Sequence, residues 1–128
     1  MEQSYLIDSN VVIDYLAGRL PDSGMSLVDQ LVDETPQISV ITKIEILGFN
    51  TTPEADRLLA GFINASTVLL LDERVSEHTI TLRKKYRIKI PDAIIAATAL
   101  VHDSILLTHN TDDFKKIENL KYIDPHGQ

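Results

Sequence analysis

The sequence predicts an α/β domain built on a mainly parallel sheet. Three observations predict it. Short β-rich apolar runs alternate with helix-period stripes along the chain. Three of those runs, the LI before Asp8, ISVI and ILLT, are apolar without alternation, as strands covered on both faces are. Acids stand where strand-like runs give way to helix-like ones, namely Asp8, Glu45, Asp92 and Asp113. In an open α/β sheet the carboxyl ends of the strands converge on one crevice.

Each element has its own warrant. Tyr5–Asp8 reads as the first strand, and Ser9–Ala17 as a helix with Val12, Ile13 and Leu16 on one face, closed by Gly18. Leu27, Val28, Leu31 and Val32 stripe a second helix, after the turn Pro21–Gly24. Gln37–Val40 is a short strand and Thr42–Phe49 a short helix. Thr52-Pro53-Glu54 opens the clearest helix, with a capping hydroxyl, proline at the first helical position, and acids at the positive dipole end. Thr67–Leu71 is β-rich. Arg74–Tyr86 and the Ala-rich Asp92–His102 are helices, the second apolar on most sides and so expected to be buried. Ser104–Thr108 is a strand, Thr111–Ile117 a short helix, and Lys121–Ile123 a final edge strand.

The 128 residues suit a single domain, 1–128, able to bury a core without disulfides or structural metal. Cysteine is absent, which excludes disulfides, thiolate nucleophiles and Cys-based zinc sites. The N-terminus carries no basic region followed by an apolar stretch, and the longest helix-like apolar run, Ala93–Val101, is too short to span a bilayer. A cytoplasmic protein is expected. The net charge of −7 argues against a chain coated in nucleic acid, but the distribution qualifies this. Five of twelve Lys and Arg lie in Arg83–Lys89, just before Asp92, where they could meet phosphates or simply form a solvated helix end.

Each acid also has a plain structural reading. Thr42 and Glu45 fit a capping box, Asn110 and Asp113 a looser one; Asp92 sits at a helix start, and Asp8 could cap the helix after strand one. The set is harder to explain that way. Carboxylates about 5 Å apart at an effective dielectric near 20 repel by about 3 kcal/mol per pair. Either some keep a proton or a cation holds them, and Mg²⁺ or Mn²⁺ suits hard oxygen ligands. There is no phosphate-binding glycine loop, HExxH or GxSxG. The remaining residue types suit metal-assisted hydrolysis of phosphodiesters.

LIDSNVVIDYL, TKIEILG, IPDAIIAATAL and LLTHNTDDF, in this order and spacing, resemble the PIN-domain family, most closely its VapC-type toxins. The resemblance covers Leu6 to about Phe114. It implies a three-layer α/β/α fold with a central, mainly parallel sheet of four to five strands. It also implies an RNA-cleaving activity using Mg²⁺ or Mn²⁺, a homodimer, and a cognate antitoxin protein. By the same resemblance Asp8, Glu45, Asp92 and Asp113 are the catalytic metal ligands. Ser9, Thr42, Thr108 and Asn110 are supporting residues, and Ser39 matches a small polar position. Asn110 stands where some relatives carry aspartate, and Asp112 is an adjacent candidate expected to face solvent. Ser9 and Asn10 depart from the more usual Asp-Thr opening.

Two other functions compete. A haloacid-dehalogenase-like phosphatase also carries Asp on strand one, but needs a second Asp two residues on, where this chain has Asn10. A catalytically inactive domain that only binds RNA or protein is the non-enzyme alternative. His109 could shuttle protons beside the fourth motif. For His78, His102, His109 and His126 a polar surface role is favoured, and none is assigned to catalysis.

Overall fold

The structure, a computed structural model, describes residues 3–127; Met1, Glu2 and Gln128 of the expected domain lie outside the described residues. Five strands form one sheet: β1 (Ser4–Ile7), β2 (Gln37–Ser39), β3 (Thr67–Leu69), β4 (Ser104–Leu107) and β5 (Tyr122–Ile123). The order is β3-β2-β1-β4-β5 and every neighbouring pair is parallel. Parallel neighbours require crossovers, and among the described residues seven helices supply them: α1 (Ser9–Leu16), α2 (Asp22–Glu34), α3 (Val40–Leu47), α4 (Pro53–Asn64), α5 (Glu73–Lys85), α6 (Ile90–Val101) and α7 (Thr111–Phe114).

Strand periodicity splits the core into two layers. In the β1–β4 register Leu6 faces Leu106 and Ile7 faces Leu107. Leu6 and Leu106 pack with Val75 and Leu82 of α5, the Ala/Ile face of α6, and Phe114. Ile7 and Leu107 turn to the opposite layer, with Val11 and Val12 of α1, Val28 of α2, Ile46 of α3, and Leu59 and Phe62 of α4. Helices therefore cover both faces, which accounts for strands that are apolar without alternation. The three-layer arrangement is the expected one. α6 is buried from Ala93 to Ala99, as its composition foretold.

Several boundaries move for identifiable reasons. α3 starts at Val40 rather than Thr42, because Ser39 Oγ accepts the Ile41 N–H and caps the helix. Thr42 and Glu45 therefore form no capping box. α6 starts at Ile90, with Pro91 in its first turn. α7 ends at Phe114, not Ile117, and Asn110 makes no side-chain cap. Thr52 does cap α4, accepting from Ala55 N–H at 3.2 Å. Gly18, with φ of +70°, turns the chain out of α1 where a side chain would be strained.

Candidate functional site

The strand order reverses direction at β1, between β1 and β4, and this is where α/β sheets open a crevice at their carboxyl ends. Asp8 leaves β1 at that point and Thr108 leaves β4 beside it. Asp8 is nearly buried, at 5% exposure, and both its oxygens are engaged. Oδ1 accepts the Ser9 N–H at 2.8 Å, so the residue does cap α1. Oδ2 accepts the Thr108 hydroxyl at 2.8 Å and the Asn10 amide at 3.4 Å. Asn10 also accepts the His109 N–H at 3.0 Å, and Thr108 Oγ1 accepts the Asn110 N–H at 3.0 Å. Thr108, Asn10 and Asn110 thus tie the end of β4 to the start of α1.

Glu45 reaches the same place from mid-α3. Its Oε1 accepts the Ser9 hydroxyl at 2.5 Å. Asp92 projects from the first turn of α6 and is half-buried, while Asp113 comes from α7 and is exposed. The electrostatics record the convergence. Burial pushes the Asp8 carboxyl up to about 6; hydrogen bonds from Thr108 and Ser9 oppose this, and the charges of Glu45 and Asp92 add to it. Asp92 is also pushed above the ordinary carboxylate range, by burial, then by Asp113 and Glu45, with Lys89 and Lys116 opposing. Asp8, Glu45 and Asp92 therefore feel one another, and Asp113 acts on Asp92. Asp112 does not join them; its side chain is 89% exposed and pairs with Lys115 at 3.1 Å. Thr42 is fully buried, and its hydroxyl is the buried side-chain polar atom left without a partner among the described residues.

A cleft of about 670 Å³ opens beside the acids. Asp92 and Asp113 line one part of it, and the basic run from Arg83 to Lys89, together with Lys116, lines the rest. The basic residues are not equivalent. Arg83 donates to the Ile88 carbonyl at 2.6 Å and so braces the loop. Lys85 pairs with Glu118 at 3.0 Å, and Lys116 donates to the Arg87 carbonyl at 2.5 Å. Lys84, Arg87 and Lys89 make no ion pair among the described residues. Sequence reasoning found the basic run but not Lys116, which the α7 turn carries back to the cleft from outside that run.

Sequence reasoning also missed a second group of side chains. His109, Asp124 and His126 each offer a ligand-type atom, and these atoms lie within 4.8 Å of one another. His109 stands directly after Thr108, but Asp124 and His126 follow β5, and no sequence spacing links them to it.

The donor chemistry of the crevice fits a hard divalent cation. It offers carboxylate oxygens whose mutual repulsion such an ion relieves, and no thiolate or imidazole stands among the four acids.

An acid-floored crevice at the switch point of a parallel α/β/α sheet, beside a basic cleft, defines a class of phosphodiester-handling domain. The chain belongs to the PIN-domain family, whose profile matches residues 5–120. Among its relatives, ribonuclease VapC10 of Mycobacterium tuberculosis is 34% identical over 120 residues, 91% of this chain and 90% of the relative. Ribonuclease VapC1 of Haemophilus influenzae is 29% identical, covering 94% of this chain and 96% of its own. Among solved structures, a toxin–antitoxin complex from Klebsiella pneumoniae superposes with a TM-score of 0.75 at 29% identity, over 98% of this chain and 100% of that one. VapBC-1 from nontypeable Haemophilus influenzae gives a TM-score of 0.76 at 27% identity, over 96% and 98%.

Proposed function

We propose that this protein is the toxin of a type II toxin–antitoxin pair, an endoribonuclease that hydrolyses RNA phosphodiesters with the help of Mg²⁺ or Mn²⁺. The observation that carries the reading is the meeting at the switch point of Asp8, bonded to Thr108, and Glu45, bonded to Ser9, with Asp92 and Asp113 lining the adjoining cleft. The similarity to named VapC ribonucleases and to toxin–antitoxin complexes supports the activity and the antitoxin partner.

In this reading the four acids hold the cation. When bound, such an ion polarises a phosphoryl oxygen and lowers the pKa of a water molecule. The chain's own residues do the rest. Thr108, Ser9 and Asn10 fix the Asp8 carboxylate by hydrogen bonds, so it needs no reorganisation to bind charge. The Ser9 hydroxyl holds Glu45 over the crevice. Lys84, Arg87 and Lys89 take the flanking phosphates and steer a polyanion toward an acidic floor that would otherwise repel it. Position 10 offers Asp8 an amide and not a second carboxyl, which disfavours the phosphatase alternative.

Protein partners need apolar surface, and α3–α4 supplies it. Ile44, Leu47, Phe49 and Leu58 are exposed, and Phe49 and Leu58 edge a groove of about 220 Å³ against Ile13 and Leu16 of α1. We assign this groove to the antitoxin; the homodimer contact is assigned no surface. An RNA substrate favours a cytoplasmic setting, and among the described residues no helix is long and apolar enough to cross a membrane.

The test uses purified, metal-stripped chain and a labelled RNA. Cleavage should return with Mg²⁺ or Mn²⁺ and be lost in Asp8→Asn. An Asp8→Asn protein that cuts at the wild-type rate overturns the assignment.

A further inference from the structure

A second cluster stands at the C-terminal end of the chain, beside the acid crevice but built from other residues. His109 Nδ1 lies 3.2 and 3.1 Å from the two carboxylate oxygens of Asp124. His126 Nδ1 lies 3.2 Å from Asp124 Oδ1. The other nitrogen of His126, Nε2, lies 2.8 Å from Asp14 Oδ2 on α1, and Asp14 Oδ1 faces Arg19 at 3.3 Å. The two imidazole rings are 3.9 Å apart and tilted by 35°.

We propose that His109, Asp124 and His126 form a site for a divalent transition metal of the zinc class, with Asp14 orienting His126. The site goes beyond the ribonuclease reading and does not rest on it.

Ligand type, spacing and orientation each point the same way. Two imidazoles and a carboxylate suit Zn²⁺, Co²⁺ or Ni²⁺, whereas Mg²⁺ prefers all-oxygen surroundings. Tetrahedral bonds of about 2.0–2.1 Å place neighbouring ligand atoms roughly 3.3 Å apart. The nitrogen–oxygen separations of 3.1 and 3.2 Å are already within a few tenths of that edge. The Asp14–His126 contact is the carboxylate–histidine arrangement that fixes the tautomer of a metal-bound imidazole. With Nε2–H donated to Asp14, neutral His126 turns an Nδ1 lone pair toward a carboxylate oxygen. Two lone pairs 3.2 Å apart need a cation between them. A proton on His126 meets the same need, with neutral His109 donating its own Nδ1–H to Asp124; a divalent ion meets it by binding all three groups at once, and the metal titration separates the two. The Asp124 carboxylate is also oriented by the His126 backbone N–H, which its Oδ1 accepts at 2.9 Å.

The surrounding segment is seated rather than loose. A Cβ at Gly24 of α2 would collide with the Pro125 carbonyl, so the residue between Asp124 and His126 lies directly on α2. A metal here would join the end of β4, the segment after β5 and, through Asp14, α1.

The experiment takes the full chain, stripped of metal and then kept in excess Mg²⁺ to occupy the acid crevice. Zn²⁺ is titrated by calorimetry and Co²⁺ by its visible absorption. One zinc per chain should bind to wild type and equally to Asp8→Asn. The double variant His109→Gln/His126→Gln should lose the zinc heat and the cobalt band, and Asp14→Ala should weaken binding about ten- to a hundredfold. Unchanged binding in the histidine variant, loss of it in Asp8→Asn, or no zinc binding by wild type would each overturn the proposal, the last leaving a hydrogen-bonded clamp. Should the histidine variant fail to fold, imidazole NMR of wild type decides. Zinc must move the His109 and His126 signals, and shifts confined to other histidines count against the site.

Discussion

The floor and the rim of the cleft are opposite in charge and differ in how the chain builds them. The floor consists of acids brought from four elements, with Asp8 almost buried and both its oxygens hydrogen-bonded. The rim comes largely from one exposed run, Arg83–Lys89, joined by Lys116. Floor residues repel one another and are held in place by the fold; on the rim Arg83, Lys85 and Lys116 are tied to Ile88, Glu118 and Arg87, while Lys84, Arg87 and Lys89 stand exposed to water. The difference separates two tasks. An acid cluster anchored on one buried, hydrogen-bonded carboxylate acts on bound ions and on developing charge, whereas an exposed basic strip acts on encounter and affinity. Damage to the floor should therefore stop chemistry, and damage to the rim should change binding and its salt dependence.

The largest effect is expected on the floor. Asp8→Asn should reduce RNA cleavage by about a thousandfold or more, the scale of losing one preorganised charge from a catalytic site. Single-turnover cleavage in Mg²⁺ measures it, with RNA binding retained. If binding fell and the cleavage rate of bound RNA stayed normal, the division between floor and rim would be wrong.

The same substitution should stabilise the metal-free protein. Asp8 titrates near 6 in the folded chain against an ordinary 3.8, so the folded state holds the proton more tightly than the unfolded state. Stability from this group is complete below pH 3.8 and is lost as pH rises through 6, by up to about 3 kcal/mol. Above that pH, Asp8→Asn should be the more stable protein by about 1–3 kcal/mol, and the difference should shrink toward pH 4. Urea denaturation across this range, in chelator, is the check; a destabilised Asn variant at pH 7 would mean that its lost hydrogen bonds outweigh the relieved charge.

On the rim, Lys84→Gln/Arg87→Gln/Lys89→Gln should weaken RNA binding about tenfold and flatten the salt slope by about two, as expected when three single-strand phosphate contacts are lost. Cleavage of saturating RNA should barely change. Arg83→Gln should act differently and lower stability, because Arg83 braces the Ile88 carbonyl. A salt slope unaltered in the triple variant would remove the rim from RNA binding.

The sequence carried the floor more legibly than the rim. Asp8 follows β1 and Asp113 opens the short helix after β4, but Glu45 lies in mid-α3 and Asp92 follows α5 rather than a strand, so strand ends alone single out only part of the set and the family resemblance supplied the rest. Element types were readable, since apolar periodicity reports which faces are covered. Helix starts were less so. Ser39 and Thr42 both offer a capping hydroxyl, and only the chain's direction out of β2 selects Ser39. The division of labour within the basic run was invisible, because it depends on Arg83 folding back onto the Ile88 carbonyl and on Glu118 approaching from outside the run. The pairing of His109 with Asp124 and His126 likewise arises from β4 lying beside β5, a contact that no local pattern encodes.

The smallest effect concerns the one hydroxyl beneath the floor that has no partner. Thr42 lies one turn before Glu45 on α3, fully buried, with Oγ1 unpaired among the described residues. A buried hydroxyl without a hydrogen bond costs about 1–3 kcal/mol, and replacing it by a methyl of the same shape removes that cost. Thr42→Val should therefore raise stability by about 1 kcal/mol, read as a higher urea midpoint at unchanged slope. Its cleavage rate separates two roles for the residue. An unchanged rate makes Thr42 a packing position that happens to carry a hydroxyl. A fall in rate beside a rise in stability would make it a polar group kept at a cost for the floor, as the neighbouring Ser9 hydroxyl is kept for Glu45.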